Sequence, residues 1–190
     1  MKVIEFLGMP RSGKTTQIYK LKANLQAKGY QVAHITDRIR ARNTKTPPSN
    51  GLAYTLAFAT QVLEAYYENL TKADYLLVDR GFNDVAVWAD VRQECDNLSP
   101  DQAKALKTIF QPLTKLVDQT FCFMVPVDMT INRHQGRQHD IVDDVAMNEK
   151  WLKCLYVAYK NNMGSFVNLT QIDGTQDESY NEKTINSLIE

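Results

Sequence analysis

Cysteine is scarce in this chain of 190 residues: the three present, Cys95, Cys122 and Cys154, are odd in number and show no CxxC spacing. That argues against a disulfide framework and a structural zinc site, and makes a reducing cytoplasm the expected home. Charge of one sign is not in excess. Lys plus Arg, 22, equals Asp plus Glu, 22, so no basic groove for duplex DNA or RNA is expected. No apolar run approaches the roughly 20 residues of a membrane span. The opening Met1-Lys2-Val3-Ile4-Glu5-Phe6-Leu7-Gly8 is too short and too interrupted by Glu5 to read as a signal peptide. Repeats, low-complexity tracts and a domain-splitting linker are lacking too. What remains is 44% apolar and 23% charged, the composition of a soluble chain that can bury a core as a single domain over 1–190.

Hydrophobic periodicity then orders the elements. Val3–Leu7 reads as a buried strand and Gly13–Lys28 as a helix with Ile18, Leu21 and Leu25 on one face, closed by Gly29. Val32–Ile35 is a second strand, and 37–50, with Pro47-Pro48 and Asn50-Gly51, a loop. Leu52–Leu70 predicts a helix whose Leu56, Ala59, Leu63, Tyr66 and Leu70 share a face. Tyr75–Val78 is the third strand, with a short helix following over Asp84–Glu94. Ser99-Pro100-Asp101-Gln102 has the form of a capping box opening a helix to about Val117. Thr120–Val127 reads as a fourth strand, Thr130 to about Asn162 as two helices broken near 136–144, Ser165–Leu169 as a fifth strand and Glu178–Ile189 as a last helix. Five strands alternating with helices imply α/β: a parallel sheet in three layers, with helices on both faces.

The chemistry begins at Gly8-Met9-Pro10-Arg11-Ser12-Gly13-Lys14-Thr15, which fits GxxxxGK[ST] between a strand and a helix. Successive backbone N–H groups can curl around a phosphate where Gly8 and Gly13 remove Cβ clashes, and the next helix adds its positive end. Lys14 supplies a cation for β/γ-phosphates and Thr15 a hydroxyl for Mg²⁺. Gly8, Arg11, Ser12, Gly13, Lys14, Thr15 and Thr16 are therefore the expected ATP-binding set.

Asp79 ends the third strand, where a P-loop protein places a carboxylate near Mg²⁺, and Arg80 follows at once. Arg80 is a candidate bridge to the transferring phosphoryl group or the acceptor; capping of the next helix is the plainer alternative for the pair. Arg133 and Arg137 stand four apart after the fourth strand, as on a mobile lid over about 133–146. Such a lid would neutralise developing charge and exclude water, so that phosphate passes to an acceptor instead of being lost to hydrolysis. A solvated helix end with Arg137 paired to Asp140 or Asp143 is the competing reading. The Asn-Lys-x-Asp motif of GTPases is absent.

Together these features resemble the thymidylate kinase and deoxynucleoside kinase group of P-loop kinases. The likeness spans the P-loop, the helix with Leu56-Ala57-Phe58-Ala59, Asp79-Arg80, the arginine lid and the late Ile172-Asp173-Gly174. It implies that Lys14, Arg133 and Arg137 hold ATP phosphates, that Asp79 and Arg80 lie between Mg²⁺ and acceptor, and that the Asp173–Thr175 stretch, Asp173 and Gly174 foremost, borders the adenine. The chain departs from thymidylate kinases after Asp79-Arg80, where Gly81-Phe82-Asn83-Asp84 stands, and in Phe58-Ala59-Thr60-Gln61, which leaves Gln61 to meet a base edge in place of an arginine.

On the acceptor side, deoxynucleoside kinases keep a carboxylate after the second strand that takes the proton of the attacking hydroxyl, and Asp37 occupies that place. Arg38, Arg40 and Arg42 favour a monophosphate instead, if they are more than a solvated loop. Tyr54, Phe58, Phe82 and Trp88 are either a base-stacking slot or simple core. His134 and His139 with Asp140, Asp143 and Asp144 match no standard metal spacing. The expectation is an ATP- and Mg²⁺-dependent kinase with Lys14, Asp37, Arg80, Arg133 and Arg137 catalytic, Thr15 and Asp79 on the metal, and Asp37, Arg38, Phe58, Gln61 and Arg80 on the acceptor. Its partners would be a small-molecule nucleoside or nucleotide and at most a second copy of the chain as a homodimer, with neither duplex nucleic acid nor membrane. A kinase of a non-nucleoside small molecule and a nucleotide-binding regulator without an acceptor are the alternatives.

Overall fold

Parallel strands cannot be joined by tight turns, so each apolar run needs a crossover, and the helical segments between them supply it. The computed structural model describes residues 1–35, 51–135 and 147–189. Within these, β1 (Lys2–Gly8), β2 (Val32–Ile35), β3 (Tyr75–Asp79), β4 (Gln119–Met124) and β5 (Leu169–Asp173) form one sheet in the order β2-β3-β1-β4-β5. Every pairing is parallel. The helices are α1 (Lys14–Ala27), α2 (Gly51–Asn69), α3 (Phe82–Cys95), α4 (Pro100–Phe110), α5 (Val127–Gln135), α6 (Glu149–Asn162) and α7 (Glu178–Ile189). This is the three-layer α/β architecture with a five-stranded parallel sheet that the order of elements implied. Among the described residues no helix is long and apolar enough to cross a membrane.

Strand alternation sorts the core. Ile4 and Phe6 of β1 join Phe121, Phe123 and Ile172 beneath Ile18 and Leu21 of α1 and Ile185 of α7. Val3 and Leu7 face the other way: Val3 packs with Phe58, Phe82 and Phe110 of α2, α3 and α4, and Leu7 with Val87 and Leu152 of α3 and α6. Each fully buried phenylalanine or leucine here stabilises the fold by roughly 1.5–3 kcal/mol. The sheet is thus a middle layer with helices on both faces. Since β1 lies between β3 and β4, crossovers leave it in opposite directions, which opens a crevice at its carboxyl end.

Several expected boundaries move. The stripe of α2 is Thr55, Phe58, Ala59, Val62 and Ala65, about one position earlier than the Leu56–Leu70 face; Leu56 and Leu70 are exposed. Thr55 can point inward because its hydroxyl donates to the Gly51 carbonyl at 2.8 Å. Strand β4 stops at Met124 and α5 starts at Val127, since Pro126 has no N–H for a ladder while its carbonyl accepts from Thr130 N at 3.1 Å. The fifth strand is Leu169–Asp173, not Ser165–Leu169. Ser165 ends a short 3₁₀ turn, and Phe166 packs among the side chains of α6. Ser99 and Gln102 do form the reciprocal capping box, but α4 yields at Gln111-Pro112 to a 3₁₀ turn over Gln111–Leu116. The loop at 37–50 and the break at 136–144 fall outside the described residues. Cys95 at the end of α3 and Cys154 of α6 stand with their sulfurs 2.7 Å apart, and burial pushes the Cys95 thiol up to about 12.

Candidate functional site

The phosphate loop begins where β1 touches β4. Gly8 has φ 120°, and a Cβ there would lie 2.0 Å from the Phe123 carbonyl, which also accepts from Met9 N at 2.9 Å. Only glycine fits. Gly13, at φ 97°, turns the chain into α1, which among the described residues has no side-chain cap and no acidic residue in its first turn. Its leading N–H groups and positive end therefore remain available to an anion. Between the glycines Arg11 takes φ 57°, a left-handed conformation costing on the order of 1–2 kcal/mol.

Lys14 lies back over this loop, its Nζ donating to the carbonyls of Met9 at 2.7 Å and Gly8 at 3.1 Å, with Ser12 Oγ at 3.5 Å. Burial, then the Arg80 guanidinium, lowers its pKa to about 8 against the pull of Asp79 and Asp84. Thr15 Oγ1 donates to Asp79 Oδ2 at 3.0 Å, and Thr16 is exposed. Asp79 ends β3 opposite Phe6 of β1, so sheet register alone brings this carboxylate to the loop. Among the described residues no group of three or more His, Cys, Asp or Glu could hold a metal ion. One hydroxyl and one carboxylate are nevertheless what Mg²⁺ takes from a protein when phosphate oxygens and water complete its shell.

Arg80 follows with φ 68°, its N–H donating to the Phe6 carbonyl at 3.0 Å. The guanidinium lies 4.9 Å from the Trp88 ring centroid and 3.4 Å from Asp84 Oδ2. Burial opposes its charge, but Asp84, with Tyr159 and Asp79 behind it, holds the proton above the ordinary guanidinium range. Beneath the turn, Glu5 accepts from Phe82 N at 2.6 Å and from Asn83 N and Nδ2 at 3.2 and 2.8 Å. It caps α3 from the middle of β1. Burial pushes its carboxyl up to about 7, in spite of those three donors.

Helix α5 closes the far side. Arg133 donates to the Arg11 carbonyl at 3.1 Å, Thr130 Oγ1 to the Pro10 carbonyl at 3.3 Å, and an Arg11 nitrogen lies 3.4 Å from His134 Nδ1. The late loop arrives beside β4. Gly174 N donates to the Met124 carbonyl at 2.9 Å, and a Cβ on Gly174 would sit 2.9 Å from the Ser12 carbonyl. Asp173 folds that loop by accepting from Thr175 N at 2.9 Å and Oγ1 at 2.7 Å, bonds that hold its carboxyl below the usual range.

Lys14, Thr15, Asp79, Arg80, Arg133, Asp173 and Gly174 thus gather on the carboxyl edge of the sheet. On the opposite wall Phe58 and Phe82 are core residues, which leaves Tyr54 and Trp88 as the aromatics of the expected slot, both against Arg92 at 5.4 and 5.8 Å. Gln61 is half-buried on α2. Asp37, Arg38, Arg40, Arg42, Arg137 and His139, Asp140, Asp143 and Asp144 lie outside the described residues. Sequence reasoning missed Glu5, Asp84 and Tyr159. A glutamate amid the apolar residues of β1 was the one local sign.

A family model described as AAA domain matches residues 3–170. No curated protein matches the chain. Among solved structures, deoxyadenosine kinase from M. mycoides with bound dATP superposes with a TM-score of 0.71 at 14% identity, covering 99% of this chain and 100% of that one. The same kinase with dCTP gives 0.70 at 15% identity over 98% of both chains, and with the products dCMP and a flexible dCDP 0.69 at 14%, again over 98% of both. At such identities the likeness is one of fold.

Proposed function

The chain belongs to the AAA domain family, and on that premise we propose that it transfers the γ-phosphoryl group of ATP to a nucleoside or nucleoside monophosphate. The observation that carries this reading is the convergence on one loop of Lys14, the Thr15–Asp79 pair, Arg80 and Arg133, supplied by three neighbouring strand ends. Phosphoryl transfer asks little of a protein beyond positioning and charge neutralisation.

In this reading the amides of Gly8–Thr16 and the Lys14 ammonium grip the β/γ-phosphates. Thr15 and Asp79 would hold Mg²⁺, which would supply charge neutralisation at the phosphates. Arg80 orients the acceptor side of the transferred group. Arg133, with Arg137 on a lid over about 133–146, closes from above and keeps water out, while Asp173 and Gly174 border the adenine. Asp37 takes the proton of an attacking hydroxyl, with Arg38 and Gln61 on the acceptor; Phe58, in the core, drops out of that set. The fold likeness to deoxyadenosine kinase supports the nucleoside class. The protein is read as one catalytic domain, at work in the cytoplasm.

Incubation with ATP and Mg²⁺ against deoxynucleosides, their monophosphates and sugar alcohols tests this, with ADP and the phosphorylated product both measured. Turnover should require a nucleoside or monophosphate, and Lys14→Ala should abolish it with the fold intact. ATP hydrolysis indifferent to every acceptor, or transfer to sugar alcohols alone, would overturn the assignment.

A further inference from the structure

We infer that Tyr159 is a positioning residue for Arg80, acting through the buried carboxylate of Asp84. The inference rests on the role proposed above for Arg80 and adds to it the group that sets where the guanidinium stands.

Arg80 has few means of its own to hold one pose. Its side chain leaves a left-handed backbone position, lies over Trp88 with Cζ 4.9 Å from the ring centroid, and meets its carboxylate partner at 3.4 Å, a loose contact. Asp84 is therefore the anchor, and at 1% exposure water does not orient it. Two side chains do. Trp88 Nε1 donates to Oδ2 at 2.8 Å, the oxygen that also faces Arg80, and the Tyr159 hydroxyl donates to Oδ1. Donors on both oxygens fix the rotation of the carboxylate, and hence the direction of Oδ2 toward Arg80.

Tyr159 is 0% exposed on α6, among Leu7, Met9, Cys122, Leu152 and Leu155. That apolar setting explains why the hydroxyl is needed. With it gone, Asp84 Oδ1 would face hydrocarbon, and a buried carboxylate oxygen without a donor turns to find one. The charged donor beside it is the Arg80 guanidinium, 3.4 Å from Oδ2, and any turn of the carboxylate toward it would move the guanidinium from its place. The phenol itself stays a neutral donor, because burial and Asp84 push its pKa well above the ordinary value.

The test is a cycle of Tyr159→Phe, Arg80→Ala and the double variant in the full chain, with kcat, acceptor KM, ATP affinity and Tm measured for each. Tyr159→Phe should lower kcat about tenfold with ATP affinity unchanged, and should add nothing in the Arg80→Ala background. Asp84→Asn, which keeps the shape and removes the charge, should reproduce the loss. An undiminished Tyr159→Phe effect in the Arg80→Ala background, or a fall in Tm with kcat untouched, would overturn the inference. The Arg80 side-chain and Trp88 indole ¹⁵N–H resonances supply a readout that does not depend on turnover. Both should move in Tyr159→Phe even if the protein proves to phosphorylate none of the acceptors tried, which would refute the function and not the positioning; unmoved resonances would refute the positioning alone.

Discussion

Lys14 shows how much a single buried cation can report. Its ammonium group rests on two carbonyls of its own loop, with burial and Arg80 drawing its pKa down to about 8. A triphosphate tail would bring negative charge against it and raise that value again. Below pH 8 the lysine is protonated with or without the nucleotide, and this group contributes no pH dependence. Above pH 8 binding must take up a proton, so ATP affinity should fall as pH rises from 8 to 10, by at most about tenfold per pH unit. Calorimetric titration at pH 9 in buffers of different ionisation enthalpy should show the uptake, and Lys14→Ala should lose both the binding and the proton. The loop that creates this environment was legible from eight consecutive residues, because phosphate binding by backbone amides is a local geometry. The Asp84–Tyr159 contact was not, since a bond across 75 positions leaves no periodicity or spacing to read.

At the scale of elements, α3 begins where β1 ends its reach. Three donors at the start of α3 meet the Glu5 carboxylate, and Gly81 lies so close that a Cβ there would come within 2.1 Å of Glu5 Oε1. Burial lifts the Glu5 pKa from 4.5 to about 7 in the folded protein. The native state therefore keeps a proton between pH 4.5 and 7 that the unfolded chain has released. The stabilisation is complete below pH 4.5 and is lost as pH rises through 7, by about 3 kcal/mol over the window. Urea unfolding at pH 5 and pH 8 should reveal this fall in wild type, and Glu5→Gln should flatten it; equal slopes in the two proteins would remove Glu5 as the cause. Elements with a clear apolar period or run, such as β1, α1 and α7, were found within a residue or two of their expected limits, and the short β2 was found between its flanking polar stretches. Strand β5 was not, because three of its five residues, Thr170, Gln171 and Asp173, are polar, while the apolar Phe166 nearby belongs to the α6 side of the core.

For the molecule as a whole, the strand order decides which distant segments become neighbours. Placing β1 between β3 and β4 sets Asp79, Gly8 and Gly174 along one edge, so a ligand in the crevice would touch loops following β1, β3, β4 and β5 at once. Binding there is coupled to global stability. ATP with Mg²⁺ at a hundred times its dissociation constant should add about 2.7 kcal/mol to unfolding, a rise in Tm of roughly 5–10 °C for a chain of this size. Thermal scans with and without nucleotide check it, and Lys14→Ala should abolish the shift. A wild-type Tm indifferent to saturating ATP would mean that the crevice is not where nucleotide binds.

From its residues alone the chain specified an α/β sandwich, a phosphate-gripping loop at the first strand, and a carboxylate and arginine pair at the end of the third. Each is written in a short stretch, because backbone conformation and amphipathic period are set by near neighbours. Tertiary packing alone decided which face of α2 is buried, that a glutamate inside β1 caps α3, and that a tyrosine on α6 secures the anchor of Arg80. Those outcomes depend on where the sheet brings separate segments into contact, and burial there turns ordinary polar groups into ones that must find a partner.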